Sequence, residues 1–391
     1  MEERIERRRR RREVIRRRRL GVGAGALLAF AAGIALGAGG GDPPPDAPRA
    51  PGPAEPGGQA PGRPEPADRL TLRQQVGRMV ILRFAGTEAP GYVRDVLREG
   101  RAAGAILFAD NIVSPEQLGA LTRSLHRAAP PELPALVTVD QEGGEIRNLS
   151  WAPPERSAPE QAAAGTVRAD ARAAGEALRE AGIDLTLAPV ADVPSVEGAA
   201  LAGRAFSSDF EETAAAVAES VEGWAEAGVA TTVKHFPGLG GATVNTDDGP
   251  ATVERSRTEL EADLAPFRAA IDAGVPYVMA GHATYPALDA ERIASHSPAI
   301  VDELLRGELG FDGVVMTDSL EAAAVQAVAD VEQAALASAR AGVDVILTTG
   351  RGSYIRVFRA LLAEARADPE FRERVRASAA RVLAAQSSRD G

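Results

Sequence analysis

Between residues 69 and 391 the chain alternates two kinds of pattern. Alanine-rich stretches with apolar residues at helical spacing end in Ala-Gly, then pass into Ile or Val and a short apolar run. EAGIDLTLAPVAD (180–192), EAGVATTVKHF (226–236), DAGVPYVMAGH (272–282) and RAGVDVILTT (340–349) all follow this phrase. Glycine is favoured just past a helix end, where the backbone turns left-handed. The apolar runs are short, β-branched and not alternating, which predicts strands covered on both faces. VGRMVILRF (76–84), GAILFA (104–109), PALVTVDQE (134–142) and FDGVVMTDSL (311–320) raise the number of such runs to eight. Eight strands, each trailed by a helical stretch, predict an α/β fold in which a single (β/α)8 barrel forms the domain. An open doubly wound sheet is the main rival, but no glycine-rich phosphate loop follows the first strand. FEETAAAVAESVEGWAEAG (210–228) and TELEADLAPFRAAIDAG (258–274) have the amphipathic pattern of covering helices.

The first 68 residues read differently. Residues 1–19 hold 11 Arg against 4 Glu, and Leu20 to Gly41 is uncharged. Twenty-odd residues at about 1.5 Å each just span a hydrocarbon layer of ~30 Å. Arginine on the N-terminal flank keeps that end in the cytoplasm, so the domain is expected outside it, extracytoplasmic. Residues 20–41 then serve as a transmembrane anchor helix or as a signal segment that is cleaved. Residues 42–68 are a Pro/Gly-rich linker, a composition too poor in apolar surface to fold. The folded domain is expected from 69 to 391, as a monomer, with the membrane as a partner through the N-terminal segment.

Charge and composition narrow the chemistry. The formal charge of -11 leaves roughly -15 on the chain beyond the leader and linker, which argues against nucleic acid as a partner. With no cysteine there is no disulfide framework, iron–sulfur site or thiol nucleophile. The four histidines show no zinc-ligand spacing, so no metal site is expected. All but one of the 44 basic residues are arginine, and the exception is Lys234. A position that keeps lysine amid such a bias calls for a compact ammonium rather than a planar fork.

In a (β/α)8 barrel the chemistry collects where the strands end. Asp140, Asp192, Lys234 with His235, His282 and Asp318 close the third to seventh runs. Each has a bland reading as a helix cap or ion-pair partner, and for Asp192 that reading is as good as a direct role. Together on one rim they must satisfy one another or a polar ligand. Carboxylates beside a cationic pair suit a polyhydroxylated carbohydrate, and two carboxyl groups are the minimum for glycoside hydrolysis.

VTVDQEGG (137–144), LAPVADV (187–193), GRAFSSD (203–209), VKHFPGLG (233–240) and LLRGELGFDGVVMTDSLE (304–321) resemble the successive motifs of family 3 glycoside hydrolases. The similarity is to single-domain bacterial β-N-acetylglucosaminidases of the cell-wall recycling type, over roughly residues 70–350. The resemblance implies a retaining β-glycosidase that needs no cofactor, with Asp318 as nucleophile. It implies sugar contacts from Asp140, Arg204, Lys234 and His235, and His282 is expected beside them. The expected activity is release of terminal N-acetylglucosamine from peptidoglycan fragments or related glycans. The alternatives are a β-glycosidase for another sugar, or a non-catalytic saccharide-binding domain on a membrane stalk.

The chain departs from the family at the acid/base. Relatives carry KHFPGHG and, a few residues later, an Asp-Ser-His triplet whose Asp and His form the acid/base on a mobile loop. Here Leu239 replaces the second histidine and the triplet reads Asn245-Thr246-Asp247. Glu145 stands where relatives usually have arginine. Asp247, or with a weaker claim Asp248, can replace the histidine as a carboxylic acid. Otherwise the acid comes from elsewhere, or is needless for activated leaving groups, or turnover is lost and binding kept. NTDDGP is also a strong turn signal. Trp151 can stack on a sugar, Trp224 is expected in the core, Ser297 before Pro298 reads as a helix cap, and His296 has no assigned role.

Overall fold

The computed structural model describes residues 66–387. The arginine run, the apolar stretch and the linker up to residue 65 lie outside the described residues. Among the described residues no helix is long and apolar enough to cross a membrane. The folded body starts slightly earlier than the linker composition suggests. Pro66–Arg69 forms one helical turn, with Ala67 buried against Leu133, Ala379 and Leu383.

Eight parallel strands form the centre: β1 (Val80–Arg83), β2 (Gly104–Ile106), β3 (Leu136–Val139), β4 (Leu185–Thr186), β5 (Ala230–Phe236), β6 (Tyr277–Ala280), β7 (Val314–Thr317) and β8 (Ile346–Leu347). Each pairs with its sequence neighbours, and β1 pairs with β8. The ring closes between β7 and β8 through a bridge of Met316 with Val345, where the Thr317 N–H donates to the Val345 carbonyl at 2.9 Å. All eight expected strands are present and in order.

Helices follow the strands on the outside. They are α1 (Leu72–Arg78) before β1, then α2 (Gly91–Arg98), α3 (Pro115–Ala128), α4 (Ala158–Ala164), α5 (Val167–Glu180) and α6 (Phe210–Glu226). After β5 the expected single helix is two, α7 (Arg257–Asp263) and α8 (Ala265–Asp272). Pro266 lies in the first turn of α8, and its ring cannot continue a helix from the preceding residues. After β6 comes α9 (Ala299–Glu308), wound with π-type turns, where the Ser297 hydroxyl accepts from the Ile300 N–H as a cap. Then follow α10 (Ala323–Gln326), α11 (Val331–Arg340), α12 (Ser353–Ala367) and α13 (Pro369–Ser387). The Ala-Gly phrase does what its composition predicts: Gly182, Gly228, Gly274 and Gly342 all have positive φ, at the helix-to-strand turns.

Two apolar layers hold this arrangement. Ile81, Ile106, Leu136, Leu185, Met279 and Met316 belong to the cluster that fills the barrel. Between strands and helices lies a larger layer that includes Val137, Val233, Val278, Phe236, Phe267 and Trp224. Both faces of the strands are therefore largely apolar, which is why the strands read as continuous rather than alternating runs. Charged side chains gather toward the ends of the barrel, while the polar groups buried along the strands are mainly threonine hydroxyls such as Thr138, Thr186 and Thr232.

Candidate active site

The residues that end the strands converge on one mouth. Asp140 follows β3 directly, and the chain then turns through a small hairpin, Gln141–Gly143 with Ile146–Arg147. Lys234 and His235 both lie in β5, where the register with β6 breaks between Val233 and Phe236. Such an irregularity re-aims side chains, so two consecutive residues serve the same mouth instead of opposite faces. The Lys234–His235 and Phe236–Pro237 peptides are cis.

Lys234 Nζ sits between two carboxylates, 2.7 Å from Asp140 Oδ1 and 2.7 Å from Glu142 Oε1. Arg204 grips Glu142 with two donors, Nε to Oε2 at 2.9 Å and Nη2 to Oε1 at 2.7 Å. The four charges neutralise one another in a buried network. Burial works to raise the Glu142 pKa, but Lys234 and Arg204 outweigh it and hold it near about 2. Burial lowers the Lys234 pKa, and Asp140 and Glu142 overcome that to raise it. Lys234 thus stays an ammonium, with one N–H beyond those aimed at its two carboxylates. The ends of the network that reach solvent are Asp140 and Arg204, whose side chains are 20% and 24% exposed, against 4% for Lys234.

His235 forms a second group. Its Nδ1–H donates to Asp192 Oδ2 at 2.6 Å, and its Nε2 faces Asp318 Oδ2 at 3.8 Å. A carboxylate only accepts, so Asp192 fixes the proton on Nδ1 and turns Nε2 toward the mouth. Asp192 Oδ1 accepts two backbone N–H groups as well, from His235 at 3.2 Å and Leu239 at 2.6 Å. Asp192 is therefore an orienting group and not a helix cap.

Asp318 lies just beyond β7. Its Oδ1 accepts the Ser319 N–H at 2.7 Å, and its side chain keeps 19% of its surface exposed. Burial alone would raise its pKa, but His235, His282, Lys234 and the Ser319 N–H together lower it. Among the described residues no arginine pairs with it. His282 stands behind this carboxylate and not in the mouth. It is buried, its Nε2–H donates to the Ser319 carbonyl at 3.1 Å, and its Nδ1 accepts from the Ser295 hydroxyl at 2.8 Å. Its pKa is lowered, by burial first, as befits a neutral ring. With both ring nitrogens engaged in these bonds, His282 has none left for a sugar hydroxyl.

The loop after β5 brings Asp247 to Asp318. Asp247 is on the surface, yet its pKa is raised, by desolvation of the carboxyl first and by the charge of Asp318 second. Asp248 is exposed, and its backbone N–H closes the turn to the Asn245 carbonyl at 2.9 Å. Leu239 is buried. Gly240 lies so close to Val193 that a Cβ would come within 1.8 Å of its carbonyl oxygen, so only glycine fits. Trp224 is core, Trp151 is exposed after β3, and His296 is buried.

Comparison with known proteins decides the family. The profile described as "Glycosyl hydrolase family 3 N terminal domain" matches residues 71–385. The chain belongs to glycoside hydrolase family 3. Among curated relatives, a protein named beta-hexosaminidase from Stenotrophomonas maltophilia is 38% identical over 281 residues, 69% of this chain and 82% of that protein. Another beta-hexosaminidase, from Xanthomonas oryzae, is 36% identical over 69% of this chain and 83% of its own. Among solved structures, a glycoside hydrolase family 3 beta-N-acetylglucosaminidase from Paenibacillus aligns with TM-score 0.77 and 35% identity, over 82% of this chain and 63% of that one. A beta-N-acetylhexosaminidase from Beutenbergia cavernae aligns with TM-score 0.75 and 34% identity, over 81% and 99%.

The chain is thus a family 3 glycoside hydrolase whose mouth gathers Asp140, Arg204, Lys234, His235, Asp247 and Asp318. Glu142 escaped the sequence reasoning, although it joins Lys234 to Arg204. The signal was available: a glutamate two residues after Asp140 in DQEGG, facing the chain's one lysine.

Proposed function

We propose that this family 3 enzyme is a retaining β-N-acetylhexosaminidase that removes terminal N-acetylglucosamine from peptidoglycan fragments or related glycans. The observation that carries the reading is the pair of unlike carboxyl groups at the mouth. Against the raising effect of burial, His235, His282 and Lys234 lower the Asp318 pKa, while desolvation first and the charge of Asp318 second raise that of Asp247 above its ordinary value. Unlike protonation of two nearby carboxyl groups is what a retaining glycosidase needs.

Asp318 attacks the anomeric carbon as Asp247 passes its proton to the departing oxygen, leaving a glycosyl ester on Asp318. Asp247, now ionised, takes a proton from water, which attacks the same carbon and frees Asp318. Asp140, Arg204 and Lys234 hold sugar hydroxyls, and His235 stands beside the reacting carboxylate. The names of the relatives support the sugar. The supply of a proton by Asp247 explains how the reaction proceeds without the histidine of the family's Asp-Ser-His triplet.

The test is an assay of the purified protein on an aryl N-acetyl-β-glucosaminide beside an aryl β-glucoside. Release from the first, with the β-anomer appearing first by NMR, is the expected result. No release from either, together with measurable sugar binding, overturns the reading in favour of a saccharide-binding domain.

We also place the domain outside the cytoplasm, tethered by residues 20–41 or released after cleavage. The arginine run before an uncharged apolar stretch supports this. Protease added to intact cells is expected to remove a tethered domain, and culture medium to contain a released one. Full protection inside cells would contradict the placement.

A further inference from the structure

The loop that carries Asp247 is tied along its length to three neighbouring segments: the loop after β4, the hairpin after β6 (Thr284–Tyr285 with Asp289–Ile293) and the start of α10. At its start, the Tyr285 hydroxyl donates to the Gly238 carbonyl at 2.9 Å and the Leu239 N–H to Asp192. Next, the Ser195 N–H donates to the Gly240 carbonyl at 3.1 Å and the Ala200 N–H to the Ala242 carbonyl at 2.9 Å. At its end, the Val253 N–H donates to the Thr284 carbonyl and the Thr284 N–H to the Ala251 carbonyl, both at 2.9 Å. In the middle, the Ala323 N–H donates to the Asp247 carbonyl at 3.2 Å and the Ala324 N–H to the Thr246 carbonyl at 3.0 Å.

The donors in the middle belong to the segment that begins with Asp318. That segment is itself anchored. The Asp318 N–H donates to the Ala280 carbonyl at 3.1 Å in β6, and the Leu320 N–H to the Leu347 carbonyl at 3.2 Å in β8. Glu321 accepts from the Thr349 N–H at 2.7 Å. The carboxyl groups of a retaining enzyme must stand about 5–5.5 Å apart, and misplacement by an ångström is costly.

We propose that Ala323 is a positioning residue for the acid/base: its N–H, at the start of α10 and on the same segment as Asp318, holds the backbone of Asp247. One anchored stretch of chain then sets the spacing of both carboxyl groups. The acid/base loop is in its working position before substrate arrives, unlike the mobile loop that the family resemblance implies. The inference rests on Asp247 being the acid/base.

The experiment is Ala323→Pro. Ala322 is extended, with φ -55° and ψ 140°, which suits the residue before a proline, and Ala323 is the first residue of its helix. The substitution therefore removes one donor and leaves the helix. For a substrate with a poor leaving group, such as chitobiose, kcat/KM is expected to fall about tenfold or more, and for a dinitrophenyl glycoside, whose first step needs no acid, by less than about twofold. Ala323→Gly keeps the N–H and is expected to keep the wild-type leaving-group dependence.

Equal losses on both substrates, or no loss on either, overturn the inference. Hydrogen exchange on the unaltered protein gives a reading independent of folding in the variant. Slow exchange at the Ala323 and Ala324 amides, unchanged by N-acetylglucosamine, is expected. Fast exchange that slows only on sugar binding shows a loop that closes on substrate, and overturns the inference alone. A wild-type protein that turns over neither glycoside overturns the hydrolase reading and the inference together.

Discussion

At the scale of single residues, the site assigns different tasks to similar groups by changing their surroundings. Asp318 and Asp247 are both aspartates at the mouth, but three cationic or polarised neighbours lower the first, and desolvation with a nearby anion raises the second. A pH prediction follows with its sign. The reaction needs Asp318 ionised and Asp247 protonated, so kcat/KM rises with pH through the lowered pKa and falls through the raised one. The optimum is expected on the acid side of neutrality, and Asp247→Asn is expected to abolish the descending limb on an activated aryl glycoside. A descending limb that persists in that variant would assign it to another group. Asp318 was legible in the sequence because FDGVVMTDSL announces a strand end as well as a family motif. His282 was only half legible. Its place at the end of β6 was readable, but the partners that occupy its ring, Ser295 and the Ser319 carbonyl, come from distant segments that no local pattern reveals.

At the scale of elements, the mouth is held together by charge bridges between consecutive strand ends. Glu142 joins the hairpin after β3, the Lys234 end of β5 and the turn that carries Arg204. Removing its charge leaves an ammonium and a guanidinium without their shared partner in a buried place. Glu142→Gln is expected to cost about 3 kcal/mol or more, measured by urea denaturation at neutral pH. The depressed pKa adds a pH signature. Stability from Glu142 is complete above its ordinary value of 4.5 and drains away as pH falls toward about 2. The variant is therefore expected to lose less stability than the wild type over that acid range, and an equal loss would show that Glu142 does not carry the coupling. The strands and most helices were legible because the Ala-Gly phrase marks each junction and buried parallel strands have an unmistakable composition. The break between α7 and α8 was there to be read in Pro266. The ties on the loop after β5 were not, since most are backbone bonds and all are formed by neighbours from three separate segments.

At the scale of the whole molecule, the end of the barrel opposite the mouth serves stability and not the chemistry. Asp344, ahead of β8 and so at the end opposite the mouth, is fully buried. It accepts from Arg306 at 2.5 Å, Arg381 at 3.0 Å, the Ser378 hydroxyl at 2.8 Å and the Val315 N–H at 3.0 Å. These contacts tie α9 and α13 to the strands. Asp344→Ala is expected to destabilise by about 3 kcal/mol or more, seen as a lower melting temperature, with kcat unchanged where the variant is still folded. A matching fall in kcat at such temperatures would contradict the division. Asp344 was not singled out in the sequence because nothing near it shows that Arg306 from an earlier helix and Arg381 from a later one converge there.

The central claim is that Asp318 forms a bond to the sugar, and the most direct measurement is peptide mass spectrometry of the trapped intermediate. Asp247→Ala, which lacks the base for the second step, is mixed with a dinitrophenyl N-acetyl-β-glucosaminide and quenched in acid. The account predicts one N-acetylhexosamine residue attached to the peptide that contains Asp318, at that carboxylate. Attachment at another residue, or turnover with no adduct and the α-anomer as first product, would contradict it.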